Sequence, residues 1–396
     1  MLQRSSPTLR CGVLAILVGI IGGLVSASFI GSLNWATTAR LSHDWLIWLM
    51  PIGGFLVGLA YNYFGASISA GNNLVLDEIH EPSAGVPSRM APMVYGASVT
   101  SHIVGASVGR EGAAVQITAS LADTLMHRID PTAETRRIVL ISAVAAGFGA
   151  MFGVPFAGAI FALEVLQRGR PKFALLGYAL LASFVGDQIV RALDVHHLVT
   201  PSTPNVSLDF ALLWRIPIAI CVFTLAAITF IKLTHVIKEK MASKIGWTPL
   251  RPVIGALLIL VLVLISGTRS YLGLSTDLAE VALGGAVGLS AVAFLWKFAF
   301  TTISLGTGFI GGEVLPIFII GALVGAQTGR VLDAPVALFA TLGFLGVFSA
   351  AANTPIACIF IGWELFGPNA LVPIAIVCLS TYAISGSTSI YSAQRP

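Results

Sequence analysis

Charge is what this sequence has least of. Only 10% of its 396 residues are Asp, Glu, Lys or Arg, against about 25% in a soluble globular domain. With 56% hydrophobic residues, that deficit excludes a solvated fold and leaves an all-α polytopic membrane protein. Cysteine is scarce as well. Cys11, Cys221, Cys358 and Cys378 all lie in apolar segments without metal-ligand spacing, which excludes a disulfide framework and reads as small core hydrophobes. The seven histidines, His43 and His102 among them, are scattered and read as loop or interface residues. The net charge of +4 comes with no basic patch interleaved with aromatics, so no nucleic-acid partner is expected. HExxH does not occur, which removes the metal site that an intramembrane metalloenzyme would need. No cofactor is called for.

What the sequence has instead is apolar runs from end to end, such as "VLAILVGIIGGLVSASFI" from Val13, "ALLWRIPIAICVFTLAAITFI" from Ala211 and "VIGALLILVLVLISG" from Val253. At about 20 residues per crossing the chain has room for roughly a dozen membrane segments. Several runs are short or rich in glycine, and these predict half-helices that end inside the membrane, shielded by protein. Arg4 and Arg10 precede the first run, as in a signal peptide. The weak cleavage match at Ser26–Ser28 comes only after an anchor-length run, so an uncleaved first helix is expected.

The chain also repeats itself. "FGVPFAGAIFALEVL" from Phe152 lies over "AANTPIACIFIGWELF" from Ala351, placing Pro155 on Pro355 and Glu164 on Glu364 at an offset of 200. "GREGAAVQITASLADTLMHR" from Gly109 lies over "GGEVLPIFIIGALVGAQTGR" from Gly311, placing Glu111 on Glu313 and Arg128 on Arg330 at an offset of 202. Two motifs in one order at nearly one offset imply two halves, residues 1–200 and 201–396. Arg128, Arg136, Arg137, Arg168, Arg170 and Lys172 follow the first copies, and the Lys-rich "KLTHVIKEKMASKIGWTPLR" follows the long run at Ala211. By the positive-inside rule these ends are cytoplasmic. The second copies and the stretch after Arg191 are poor in Lys and Arg and read as external. The halves are therefore expected to be inverted repeats, with a site where broken helices meet near the midplane.

Glu111 and Glu313 are the candidates for that site. An intramembrane carboxylate costs about 3 kcal/mol on insertion scales and by default handles ions or protons. The bland alternative puts Glu111 at a water-exposed helix start, which does not account for the matching Glu313. The glycines of "SVGREG" and "GTGFIGGEV" free backbone N–H groups at a helix start, a ready anion site. A carboxylate beside them is a plausible gate: charged, it takes the anion's place; protonated, it leaves.

Taken together, "GREG", "GVPFAGAIFALE", "GGEVLP" and the C-terminal "SIYSAQ" resemble the CLC family of chloride channels and proton-coupled anion antiporters. The resemblance covers nearly the whole transmembrane part. It implies an inverted-repeat fold with a central anion site, a homodimer with a pore in each subunit, and a bacterial-type inner or plasma membrane location. Matched motif by motif, it puts the gating glutamate on Glu111, the coordinating backbone amides on Glu313 and Val314, and the coordinating tyrosine on Tyr391. Gly109, Arg110, Gly112 and Gly312 complete the anion-binding turns. Three departures from chloride-type members point to the fluoride-exporting branch. Asn72 in "AGNNLV" stands for the coordinating serine, Val165 follows Glu164 in place of a second, proton-relaying glutamate, and Glu313 follows the paired glycines. "GNNL" and "DEIH", between Gly71 and His80, also resemble that branch.

Fluoride is small and strongly hydrated, and the Asn72 amide offers it two donors where serine offers one. It is also the anion of a weak acid, so proton entry drives its export. The resemblance implies that Glu111 carries the proton and gates, and that Glu313 completes the coupling. The partners are then fluoride or chloride, protons and the bilayer, and the chain is not an enzyme. A chloride or nitrate channel, or a chloride/proton exchanger, is the nearest alternative. Phenylalanines found near the pore in that branch fall on Val75 and Ile319 here, with Phe318 adjacent.

Ordinary readings stand for other residues. Asn72 and Asn73 after Gly71 suit a helix cap, Tyr391 an interfacial belt, and Glu164 and Glu364 interfacial helix ends. Asp77, Glu78, His80 and Glu81 read as a solvated cytoplasmic loop, and Phe148, Phe152, Phe156 and Phe161 as packing. The chain ends five residues after Tyr391, so no nucleotide-binding regulatory domain is expected.

Overall fold

Apolar composition over most of the length makes helix the only economical way to satisfy the backbone. The computed structural model describes residues 7–126, 129, 132–168, 173–197, 210–285 and 288–395. Arg4, Arg128, Arg170, Lys172 and most of the linker expected between the halves lie outside the described residues. The first eight α-helices are α1 Pro7–Ser42, α2 Met50–Phe64, α3 Asn72–His80, α4 Met90–Ile103, α5 Glu111–Met126, α6 Ala133–Phe152, α7 Pro155–Glu164 and α8 Leu176–Ala192. The next eight are α9 Phe210–Lys244, α10 Leu250–Ser266, α11 Thr276–Leu283, α12 Ala293–Thr307, α13 Val314–Val331, α14 Val336–Ala352, α15 Pro355–Phe366 and α16 Leu371–Ser385.

The two series share landmarks of length. Each opens on its longest helix, of 36 and 35 residues, has its shortest third, of nine and eight, and its proline-initiated half-helix seventh. Among the described residues seven helical stretches are long and apolar enough to cross a membrane, and four shorter apolar helices accompany them. Helices α1 and α9 would reach about 50 Å at 1.5 Å per residue, more than the ~30 Å apolar layer, so they must tilt.

Backbone contact packs the interior. A Cβ at Gly325 of α13 would fall 2.0 Å from the carbonyl oxygen of Phe339 in α14, so glycine alone allows that approach, as at other close membrane helix crossings.

The half-helices α7 and α15 begin inside the protein, and each is capped by the other. Glu364 on α15 accepts from the Phe156 and Ala157 N–H groups at 3.0 and 2.8 Å. Glu164 on α7 accepts from Ile356 and Ala357 at the same two distances. Proline at the first position of both helices removes one orphan donor, and the carboxylates satisfy the next two. Glu164 is fully buried, which rules out an interfacial helix end for it, while Glu364 is half-buried. Glu364→Ala leaves the Phe156 and Ala157 N–H groups unpaired. It is expected to cost about 2–4 kcal/mol, seen as a lowered unfolding temperature in detergent while Glu364→Gln, which keeps one acceptor, loses less.

The "DEIH" segment likewise differs from the expected solvated loop. It belongs to α3, and Glu78 is 4% exposed. Arg136 forks onto Asp123 at 2.7 and 2.8 Å and lies 3.1 Å from Glu78, while Arg137 bonds the Ile79 and His80 carbonyls that end α3. The far end of the helix that starts at Asn72 is therefore pinned to α5 and α6. Cys221 also departs from expectation: it is exposed, whereas Cys11, Cys358 and Cys378 are buried.

Candidate functional site

Two glycine-rich loops bring the starts of α5 and α13 together. Gly109 N–H donates to Gly312 O and Gly312 N–H to Gly109 O at 2.7 Å, an antiparallel bridge. A Cβ on Gly312 would sit 2.9 Å from the Gly112 nitrogen and 3.2 Å from those of Arg110 and Glu111. Its absence leaves that row of amides open at a positive helix end. The N–H groups of Gly109 and Gly312 are thus each taken by the other's carbonyl, and Gly112 and Val314 line a void of about 20 Å³ beside them, room for one water-sized species.

Glu111 is the first residue of α5 and fully buried, so it is not at a water-exposed helix start. Its Oε2 accepts the Leu315 N–H at 3.2 Å, and Arg110 Nε reaches its Oε1 at 3.3 Å. Among the amides at the start of α13 it is therefore Leu315, one place beyond those expected, that meets the carboxylate.

Glu313 does not repeat this placement. It caps α13 where Glu111 opens α5, one position out of register, and its Oε1 accepts from Asn72 Nδ2 at 3.2 Å. Tyr391, 4% exposed, lies against the same carboxylate. An interfacial belt position is excluded for Tyr391. The cap reading fails for Asn72, since Gly71 caps α3 without a side-chain bond, and Asn73 instead accepts from the Ala393 N–H at 3.0 Å. Asn72, Glu111, Gly112, Glu313 and Tyr391 are thus brought to one centre. Phe148 and Phe161 do more than pack: with Val75, Val165 and Tyr391 they line the small void. Phe318 stacks on Phe344 with ring centres 4.4 Å apart.

Cavities approach from two sides. One, of about 210 Å³, runs from Asn72, Glu313 and Tyr391 to His235 and Lys238 at the lysine-rich end of α9. The other, of about 280 Å³, is lined by Arg40, Arg110, His196, His197 and Arg269. Burial pushes the His197 imidazole below its usual value, so it stays neutral at neutral pH beside the Ala150 carbonyl, 2.8 Å away. Arg110 joins the second cavity to Glu111, which stands between the two.

Lys297 is the functional candidate that the sequence reading missed. It is wholly buried and donates to Ser107 Oγ and Ser275 Oγ, both at 2.9 Å, and to the Gly273 carbonyl at 3.0 Å. It thereby fixes the loop that leads to Glu111. Its signal was present: a lone cation in the apolar run "AFLWKFAF", which marks function by default.

Half-helices meeting at a buried acidic centre, with a cavity on either side, define a polytopic membrane transport protein. More particularly, the chain belongs to the CLC family, since the family described as "Voltage gated chloride channel" matches residues 53–386. It is 42% identical over 386 residues to a "Chloride/fluoride channel protein" of Pseudomonas syringae pv. tomato, covering 96% of this chain and 85% of that one. It is 24% identical to the "H(+)/Cl(-) exchange transporter ClcA" of Cronobacter sakazakii, covering 99% and 90%. Among solved structures, a CLC-type fluoride/proton antiporter superposes with a TM-score of 0.94 at 30% identity, covering 99% of this chain and all of that one. A slow cyanobacterial Cl⁻/H⁺ antiporter shares the fold, with a TM-score of 0.82 at 19% identity over 96% of each chain.

Proposed function

We propose that this protein exports fluoride across a bacterial-type plasma membrane in exchange for protons, with Glu111 as the gate. The observation that carries this reading is the carboxylate of Glu111 on the Leu315 N–H, a donor at a helix start where an anion would sit. Glu313 occupies the Asn72 amide in the same way. Each acid holds a donor that an incoming anion needs. Protonation of either carboxylate weakens its hold, so anion entry and proton uptake become alternatives at one centre. The likeness to a chloride/fluoride channel protein and to a fluoride/proton antiporter supports fluoride as the cargo. Asn72 as a hard donor for a small anion and Val165 at the position of the second glutamate support it further.

In this reading residues 1–200 and 201–396 are the two inverted halves, the lysine-rich end of α9 faces the cytoplasm, and two copies associate in the bilayer. Gly109, Arg110, Gly112, Gly312, Val314 and Tyr391 form the walls of the anion path.

Proteoliposomes loaded with fluoride or, separately, chloride test the cargo. Fluoride efflux accompanied by proton uptake, and much slower chloride efflux, is the expected result. Chloride moving as fast as fluoride would place the protein with the chloride exchangers or channels, the alternative that the chloride/fluoride name of its relative keeps open.

A further inference from the structure

The cavity at the lysine-rich end of α9 has a wall that the site itself does not explain. Ile231, Thr234, His235 and Lys238 lie on one face of the helix, at spacings of three and four, and all line the space. Among its lining residues only Lys238 and Glu313 carry a formal charge. Glu313 is spoken for at the inner end by Asn72. Lys238 is exposed, and among the described residues no carboxylate forms an ion pair with it.

Thr234, one turn further in, supplies a second and independent observation. A threonine inside a helix usually returns its hydroxyl to the carbonyl four residues back, as Thr224 does on this same helix, to Ile220 at 2.8 Å. Thr234 does not: its Oγ1 is buried and has no hydrogen-bond partner among the described residues. Asn72 Oδ1, on the same cavity, is also without one. A buried hydroxyl left unpaired costs about 1–3 kcal/mol, and a turn about the Cα–Cβ bond would bring it to the cavity that its residue lines.

We propose that Lys238 and Thr234 form a capture site for a small hydrated anion, which the Lys238 ammonium draws into the cavity and the Thr234 hydroxyl holds before it passes to Asn72. The assignment rests on the reading of the protein as a fluoride exporter with this cavity facing the cytoplasm. Neither residue touches Glu111, so the capture site sets how readily the anion is collected and leaves the exchange step itself unchanged. Because the attraction is that of a charge at a water-filled mouth, it weakens with salt.

Everted membrane vesicles, whose cytoplasmic face is outward, decide the matter with sodium fluoride as the probe and an acidic interior as the drive. Lys238→Gln is expected to raise the fluoride concentration for half-maximal uptake about fivefold, with the maximal rate within about twofold of wild type. Lys238→Arg should restore it. Thr234→Val is expected to raise it about twofold. Lys240→Gln, on the same helix but not on the cavity wall, should leave it unchanged. Added sodium gluconate should weaken apparent affinity in the wild type and much less in Lys238→Gln. Half-saturation values for Lys238→Gln and Thr234→Val equal to wild type would overturn the capture site while leaving fluoride export intact. If the wild type carries chloride and no fluoride, the functional reading fails, and the same comparison made with sodium chloride still decides for or against the capture site.

Discussion

Glu111→Gln is expected to abolish the proton uptake that accompanies fluoride efflux, by about 100-fold or more, the order that one positioned proton carrier contributes. Glutamine fits the same space, and its carbonyl can still accept the Leu315 N–H that Glu111 now holds. What it lacks is the charge that competes with an anion and the ability to take up and release a proton. It also turns a second donor toward Arg110, whose guanidinium lies 3.3 Å from the present carboxylate. Any fluoride flux that survives should follow the fluoride gradient alone and ignore an imposed pH difference. The check is simultaneous recording with a fluoride electrode and a pH probe. Proton uptake that persists in fixed ratio to fluoride would move the proton carrier elsewhere, with Glu313 next in line because it lies at the Asn72 donor.

Removing Arg136 is expected to be the most destabilising single change. Arg136→Ala leaves Asp123 and Glu78, both 4% exposed, as buried carboxylates without their cation, and breaking a buried pair in this way costs about 3–5 kcal/mol. The loss reaches the site through α3, because the same cluster pins the helix whose first residue is Asn72. Thermal unfolding in detergent should show a large downward shift, with fluoride transport failing at temperatures where the wild type still works. Arg136→Lys should recover only part, since lysine cannot fork onto both Asp123 oxygens. Combining Arg136→Ala with Asp123→Asn should recover part by removing one stranded charge. An unfolding temperature equal to wild type in Arg136→Ala would show that the cluster does not hold α3.

Much of the candidate site was legible in the chain because it is written in rare residues. Glu111, Glu313 and Asn72 stand out against an apolar background, and glycine-rich turns beside acids have few uses inside a membrane. The register of the repeat was less legible. Matching Glu111 to Glu313 at an offset of 202 pairs two acids that play different geometric parts, because helix α13 begins one residue after Glu313. Lys297 and Thr234 went unread, since a single cation or hydroxyl in an apolar run announces neither its partners nor the lack of them. From the sequence Glu164 and Glu364 read as interfacial helix ends and Glu78 as part of a solvated loop, because polar residues near helix ends usually face water.

By itself the sequence determined the class of fold: low charge and repeated apolar runs leave the backbone no choice but helices. It also determined the family, through glycine, proline and glutamate motifs whose spacing follows from local turn chemistry. Only the tertiary structure decided which donors those acids occupy, that α7 and α15 cap each other, and that Lys297 is buried while Lys238 has no ion-pair partner among the described residues. Most of these are contacts between residues about 200 positions apart, or between a side chain and a cavity. Burial and pairing of a polar group depend on what packs around it, and no local pattern carries that information.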